Sequence, residues 1–222
     1  MEREKIHIAT ISDILQQGKI ILKKRERHVV YSNDLFYKVW VQNWSQSLIT
    51  EHCFNIGYYD NTNAECLHQF IYDETGPRGY VTKPGKTFEN RGSKNWEKMN
   101  QVCDKDKKAN FLKLMLTKSL NANGMHADMF PSNIIQYQKN INLIDFDSFR
   151  SFDLIFRNKK SKFENFSLSA WWKPHETALR EVNRFIFEYM EKCLSVSKNE
   201  IGIKRIDSES DIETVLKHLD KI

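Results

Sequence analysis

Cysteine is scarce in this chain of 222 residues, and the cysteines present do not have the spacing of a metal site. The four of them, Cys53, Cys66, Cys103 and Cys193, lie far apart and include no CxxC pair. This spacing argues against a structural zinc site, and scattered thiols fit a reducing compartment. We therefore expect a cytoplasmic protein.

Long apolar runs are also missing. No stretch approaches the roughly 18 consecutive apolar residues that indicate a membrane span. The first ten residues, MEREKIHIAT, are charged and contain no apolar core of a signal peptide. We find no internal repeat and no low-complexity linker. We therefore expect neither a membrane span nor a secretion signal.

The residues that are present suit a packed core. Hydrophobic residues make up 40% and aromatic residues 12%, and the 28% of charged residues are mixed in sign, which argues against global disorder. The net charge of +5 favours acidic partners such as nucleotides, although a solvated basic face explains it equally well. The basic runs KKRER and RNKKSK lack the aromatics of a recognisable nucleic-acid motif, so we expect no nucleic-acid partner.

Hydrophobic periodicity predicts strands in the first part of the chain and mainly helices in the second. Strands are predicted over residues 20–24, 28–31, 35–41, 64–72 and 78–82. Helices are predicted over residues 46–58, 107–121, 177–195 and 208–219. Residues 6–15 fit either a short strand or a helical lead-in, and residues 89–106 fit a loop with a short helix. The predicted fold class is α+β.

Carboxylates and an amide collect in one short stretch, at Asp128, Asn133 and Asp145. Two short strands, Ile134–Gln138 and Ile141–Ile144, joined by a tight turn, would bring these three side chains to one end of a hairpin. Hard oxygen ligands for Mg²⁺ and a base facing a hydroxyl are what phosphoryl transfer needs. The alternative is a β-hairpin that merely carries surface carboxylates.

The same stretch, HADMFPSNII followed by LIDFD, resembles the catalytic loop and metal-binding turn of the protein-kinase-like superfamily. The matching residues are His126, Asp128, Pro131, Asn133, Asp145 and Phe146. The resemblance implies a bilobal fold. Its N-lobe, residues 1–82, would hold a small antiparallel β-sheet and one helix, and its reduced, mainly helical C-lobe would span residues 83–222.

The resemblance also implies roles for the residues of this loop. Asp128 would accept or orient the proton of the attacking hydroxyl, while Asn133 and Asp145 would hold Mg²⁺ on the ATP phosphates. His126 is expected to brace the loop by hydrogen bonds. Asp147 is either a second metal ligand or a turn carboxylate.

Further roles fall on the first half of the chain. Lys38, in the third predicted strand, would bind the α- and β-phosphates of ATP, and Glu51 would pair with it, with Glu65 as second choice. Where a predicted strand runs into a Pro-Gly turn, Val81 and Lys83 would offer backbone contacts to the adenine. These assignments follow from the resemblance alone.

Several residues depart from the family pattern. The turn KKRER contains no glycine where the family cradles phosphate, so Lys23, Lys24, Arg25 or Arg27 either substitute for those glycines or form a solvated turn. Ala127, Phe130 and Asp147 differ from ordinary protein kinases and are more similar to small-molecule and sugar kinases, such as aminoglycoside, choline and lipopolysaccharide core kinases.

The sequence thus predicts an ATP- and Mg²⁺-dependent phosphotransferase whose acceptor is a hydroxyl on a small molecule or sugar. The alternatives are a pseudokinase that acts as a scaffold, and a protein Ser/Thr kinase. A partner protein or a second copy of the chain could complete the short C-lobe.

Overall fold

The computed structural model describes residues 5–23, 27–40, 68–88, 96–137, 140–144, 149–158 and 175–222. The fold is mixed α+β, as predicted, and divides into two compact units, Met1–Pro84 and Gly85–Ile222. The sequence placed this division slightly earlier, after Thr82. Several predicted features lie outside the described residues: the helix over 46–58 with Glu51, and also Glu65, Asp145, Phe146 and Asp147.

A six-stranded sheet forms the first unit. Its strands are β1 (Lys5–His7), β2 (Lys19–Lys23), β3 (Arg27–Ser32), β4 (Leu35–Trp40), β5 (His68–Asp73) and β6 (Gly76–Thr82). Their order is β1-β5-β6-β4-β3-β2, and all neighbours are antiparallel except β1 and β5, which are parallel. The prediction of a wholly antiparallel sheet is therefore wrong at this edge, because parallel partners are joined by long connections that leave no local turn signal.

The meander β2–β3–β4 forms as the sequence predicted. Asn33 and Asp34 both have positive φ, 50° and 59°, which is the two-residue turn that matches the twist of an antiparallel hairpin. Residues 6–15 adopt both of the structures considered for them. They begin in β1 and continue as a 3₁₀ turn, Ile8–Ile11, and then α1 (Ser12–Gln17).

One face of the sheet packs against this short helical segment. The buried cluster consists of Ile11, Val30, Tyr37, Val39, Ile71 and Val81. Ile14 and Leu15 of α1 pack against it while remaining partly exposed. Burial of these apolar side chains stabilises the strand order and places Tyr37 and Val39 of β4 on this face.

The second unit contains helices and three short β-pairings. Its elements are β7 (Lys86–Thr87), α2 (Glu97–Val102), α3 (Lys105–Asn121), β8 (Gly124–His126), β9 (Ile134–Tyr137), β10 (Asn140–Leu143), β11 (Phe149–Ser151), α4 (Phe152–Arg157), α5 (His175–Leu194), α6 (Lys198–Ile201) and α7 (Glu209–Leu219). β9 pairs with both β10 and β7, and β8 pairs with β11. Among the described helices, none is long and apolar enough to cross a membrane.

The predicted helices of this unit are present with small shifts at their ends. α3 begins at Lys105 rather than Lys107, because the Asp104 carboxylate caps it by accepting from the Lys107 N–H at 2.8 Å. Ser208 caps α7, since its side chain accepts from the Asp211 N–H. The sequence missed α4 and α6, which have six and four residues and are too short for a periodicity signal.

Helices α3 and α5 share the core of the second unit. The Tyr189 hydroxyl of α5 is fully buried and donates to the Lys108 carbonyl of α3 at 3.0 Å. The Tyr189 ring lies 5.9 Å from the ring of Phe111 and 5.2 Å from that of Trp96. This aromatic cluster anchors the helix that leads into the candidate site.

Candidate functional site

The chain enters the predicted catalytic loop from the end of α3. Asn123, with φ of 50°, reverses the chain after the helix, and its carbonyl accepts from the Phe152 N–H at 3.0 Å. β8 then pairs with β11 and is buried along its whole length. The loop therefore starts from a fixed point in the core. We use "catalytic loop" for residues 126–133.

His126 braces this loop, as the sequence predicted. Its side chain is fully buried, and its Nδ1 accepts a hydrogen bond from the Asp128 backbone N–H at 3.0 Å. An accepting Nδ1 carries no proton, so a neutral imidazole has its proton on Nε2. The imidazole ring thus stabilises the turn at Asp128 through its Nδ1.

Asp128 and Asn133 are brought together within the loop. The Asn133 side-chain Nδ2 donates to the Asp128 carbonyl at 2.8 Å and to the Asp128 carboxylate Oδ2 at 3.1 Å. The backbone closes around them, since the Phe130 N–H donates to the Asp128 carbonyl and the Asn133 N–H donates to the Phe130 carbonyl, at 3.0 and 2.9 Å. The Asp128 carboxylate is therefore held by a neighbour, not left to rotate freely.

The predicted hairpin is formed by β9 and β10. Leu143 pairs with Ile134, and the Ile144 N–H donates to the Asn133 carbonyl at 2.9 Å. The residue before Asp145 in the chain is thus bonded to Asn133. Asp145 itself lies outside the described residues, and its role as a metal ligand stays a prediction.

Lys38 belongs to the first unit and lies on β4, between β3 and β6. Only 7% of the residue is exposed. Its ammonium lies 5.8 Å from the centroid of the Trp40 ring and 5.5 Å from that of Tyr80, which is its direct partner on β6. Aromatic faces attract a cation and are found around one that is partly withdrawn from water. A buried lysine with two rings beside it is not a solubilising surface residue.

Glycine at position 79 lets β6 pass close to this lysine. A Cβ at Gly79 would lie 2.1 Å from the Lys38 carbonyl oxygen, far inside van der Waals contact. Gly79 is not among the site residues that the sequence predicts, although a glycine within a predicted strand is a signal of close backbone approach.

Val81 and Lys83, the two residues predicted to contact adenine, differ in their position relative to β6. Val81 is inside β6, paired with Tyr37 on one side and Gln69 on the other, and it is buried. Backbone groups inside a central strand face the neighbouring strands. Lys83 follows the end of β6 directly, and its contact with adenine stays a prediction.

The turn KKRER is described only at its ends. Lys23 is the last residue of β2, and Arg27, the first of β3, is 5% exposed. Arg27 is thus part of the sheet and not a solvated turn residue. Lys24 and Arg25 lie outside the described residues.

A groove of about 720 Å³ lies between α2 and α5 of the second unit. Trp96, Glu97 and Asn100 line it from the α2 side, and Arg184 and Glu188 from α5. The size is within the range of small-molecule sites.

The groove adjoins the catalytic loop at Arg184. The Arg184 guanidinium, which lines the groove, also lies 5.2 Å from the centre of the Phe130 ring. In the sequence, Phe130 is notable only as a departure from the family pattern, and Arg184 is not among the predicted site residues.

The Asn133 side chain fits a role as a Mg²⁺ ligand. Its Nδ2 is used by Asp128, while its Oδ1 receives no hydrogen bond from the described residues, and a carbonyl oxygen suits this hard cation. Within the described parts of the chain, no group of three His, Cys, Asp or Glu side chains could hold a metal ion. Asp145 lies outside these parts of the chain and was therefore not among the side chains considered.

Comparison of the sequence with models of protein families gave no match, and comparison with curated proteins also gave none. The function is therefore inferred from the residues and their geometry.

Proposed function

We propose that the protein is an ATP- and Mg²⁺-dependent phosphotransferase with a bilobal protein-kinase-like fold. It transfers the γ-phosphoryl group of ATP to a hydroxyl of a small molecule or sugar. The observation that carries the proposal is the pair of hydrogen bonds from the Asn133 amide to Asp128. These bonds join the two loop residues to which the resemblance assigns the base and a metal ligand.

The arrangement of the loop supports these two roles together. An amide whose nitrogen faces Asp128 presents its oxygen elsewhere, so one Asn133 side chain can orient the base and still ligate Mg²⁺. The Ile144 N–H, bonded to the Asn133 carbonyl, brings the chain back to this point immediately before Asp145. A hairpin with incidental surface carboxylates would not require an amide turned onto Asp128.

In the proposed reaction, Asp128 takes the proton of the acceptor hydroxyl as the oxygen bonds to the γ-phosphorus. The bond from that phosphorus to the β–γ bridging oxygen breaks, and ADP leaves with the electron pair. Asn133 and Asp145 would hold Mg²⁺, which offsets negative charge on the phosphates when bound. Lys38 would bind the α- and β-phosphates with its buried ammonium.

Calorimetry with Mg²⁺–ATP, followed by transfer from labelled ATP to sugars, aminoglycosides, choline and protein, tests the proposal. We expect Asp128→Asn to keep nucleotide binding and to reduce transfer about 10²–10⁴-fold, the usual contribution of a general base. Asp145→Asn should lose metal-dependent turnover. Lys38→Met should weaken nucleotide binding itself.

The outcomes separate the alternatives. Absence of binding at millimolar Mg²⁺–ATP would exclude the enzyme. Binding without transfer to any acceptor would favour the pseudokinase, for which the glycine-free KKRER turn is the sequence argument. Transfer to protein alone would favour a Ser/Thr kinase.

A further inference from the structure

We propose that Arg184 is a positioning residue for the catalytic loop: its guanidinium holds the Phe130 ring, and Phe130 in turn sets Asp128 and Asn133. This inference rests on the proposed function for its kinetic consequences. Its structural part, that α5 holds the loop through one side chain, can be tested without any activity.

Phe130 is the residue that joins the two functional side chains through the backbone. Its N–H donates to the Asp128 carbonyl at 3.0 Å, and its carbonyl accepts from the Asn133 N–H at 2.9 Å. The Asp128 carbonyl also accepts from the Asn133 amide. A rotation of the Phe130 backbone would therefore disturb the contacts of both residues at once.

The Phe130 ring is held from outside the loop by Arg184. The guanidinium carbon lies 5.2 Å from the ring centre, within the range of a cation–π contact. Arg184 is itself fixed, since its Nε donates to Glu188 Oε1 at 2.8 Å, one turn along α5. The hydrogen bond to Glu188 also raises the pKa of the Arg184 guanidinium above its ordinary value. A guanidinium is charged at every working pH even without such a shift.

Helix α5 is a rigid base for this contact. Phe185 and Ile186, which follow Arg184, are buried, and the Phe185 ring lies 5.9 Å from the ring of Trp96. The Arg184 side chain therefore projects from a helix that the core of the second unit fixes in place.

Helix stability alone does not explain the Arg184–Glu188 pair. An i,i+4 pair with the cation on the N-terminal side has the less favourable orientation on a helix, and exposed pairs contribute little to stability. The two side chains are 38% and 36% exposed. The contact that distinguishes Arg184 is the one with Phe130.

The same helix offers a matched control. Arg180 lies one turn earlier, is 71% exposed and pairs with Glu181. Among the residues that the structure describes, no aromatic ring lies beside the Arg180 guanidinium. Arg180→Met removes a cation from α5 without touching the loop, whereas Arg184→Met removes the cation that faces Phe130.

The experiment combines hydrogen exchange with kinetics. In Arg184→Met we expect loop peptides covering residues 124–134 to exchange at least about tenfold faster while α5 peptides keep their protection. Transfer should show a kcat about tenfold lower with an unchanged KM for ATP, since a misplaced base affects chemistry more than nucleotide binding. Arg184→Lys keeps the charge and should recover part of both effects, and Arg180→Met should match the wild type.

The inference is overturned if Arg184→Met and Arg180→Met exchange alike in the loop, or if only the KM for ATP changes. In the double variant Arg184→Met/Phe130→Leu, the kcat should be no lower than in the more impaired single variant. If the fold-decreases in kcat of the two single variants multiply in the double variant, Arg184 does not act through Phe130. If the wild type fails to turn over Mg²⁺–ATP, the proposed function fails, while loop exchange still decides whether Arg184 holds the loop.

Discussion

The side-chain amide of Asn133 donates to both the backbone carbonyl and the carboxylate of Asp128, at 2.8 and 3.1 Å. One neutral side chain thus fixes the end of the loop and the rotamer of its carboxylate. Because the Asn133 carbonyl also accepts from the Ile144 N–H, the same residue ties the loop to the hairpin. Asn133 is the structural centre of the candidate site.

Replacing Asn133 by Asp separates its two proposed roles. A carboxylate remains a good Mg²⁺ ligand but cannot donate, and it adds a like charge about 3 Å from Asp128. When two carboxylates share a site, one of the two pKa values of the pair is strongly raised, because both cannot easily be charged at once. We therefore expect metal binding to persist, transfer to fall about 10²-fold or more, and the acid limb of the pH–rate profile to move to higher pH.

The control for this variant is Asn199→Asp, an equal change at an exposed position of α6. It should leave the pH–rate profile unchanged. An Asn133→Asp protein with wild-type transfer and an unshifted profile would show that the donor bonds to Asp128 have no catalytic importance.

The imidazole of His126 should protect the Asp128 amide from exchange. His126→Phe leaves this partly buried N–H without its acceptor, which costs about 1–3 kcal/mol of stability. His126→Asn places an amide oxygen near the position of Nδ1 and should keep part of the protection. We expect the Asp128 amide to exchange most slowly in the wild type, faster in His126→Asn and fastest in His126→Phe, as measured by NMR. Equal exchange rates in all three proteins would contradict the hydrogen bond from this amide to His126.

Alanine at position 79 should disrupt the strand pair that carries Lys38. The added Cβ would meet the Lys38 carbonyl oxygen at 2.1 Å, and a backbone atom cannot rotate away. We expect a loss of about 3 kcal/mol or more of unfolding free energy, measured by chemical denaturation.

The comparison variant is Gly202→Ala. Its new Cβ would meet nothing within 4 Å, and only the positive φ of 81° opposes it, at a cost of about 1–2 kcal/mol. A Gly79→Ala protein that is as stable as Gly202→Ala would mean that β4 and β6 can move apart at a cost of no more than about 1–2 kcal/mol, and would contradict this prediction.

Cys193 should make stability fall in alkaline solution. Burial raises the pKa of its thiol from 9.0 to about 12, against the opposing effect of the Lys108 charge. The unfolded chain therefore loses this proton first, so the stabilising contribution of the protonated thiol is complete below pH 9 and disappears between pH 9 and 12. Between these pH values, the unfolding free energy should fall by about 1.4 kcal/mol per pH unit because of this thiol.

The variant Cys193→Ala isolates this effect from the other alkaline titrations. The difference in unfolding free energy between wild type and variant should shrink as pH rises above 9. Native Cys193 should also resist alkylation at pH 8 until the protein unfolds. Rapid alkylation of the folded protein at this site would contradict the buried, protonated thiol.

Much of the local structure could be predicted because it is set by local chemistry. The Asn33-Asp34 turn, the periodicity of α3 and α5, and the short apolar runs of β9 and β10 each depend on neighbouring residues. The β9–β10 hairpin follows from the same kind of signal. The motif that suggests the resemblance to kinases also occupies one contiguous stretch of the sequence, and the resemblance itself stays a prediction.

Long-range contacts could not be read in this way. Nothing local in Lys5–His7 indicates a parallel partner at Phe70–Tyr72. The short helices α4 and α6 have too few residues for a period to appear. The rings beside Lys38 come partly from a strand far along the chain, and pairing of β4 with β6 is what places Tyr80 there.

The sequence by itself determined the longer helices and strands, the order of the candidate site residues and the chemistry they suggest. Only the tertiary structure turned the Asn133 amide onto Asp128, enclosed Val81 within the sheet and placed Arg184 over Phe130. The physical reason is that residue types and spacing specify local conformation. Which side chains meet across the fold depends instead on how whole helices and strands pack.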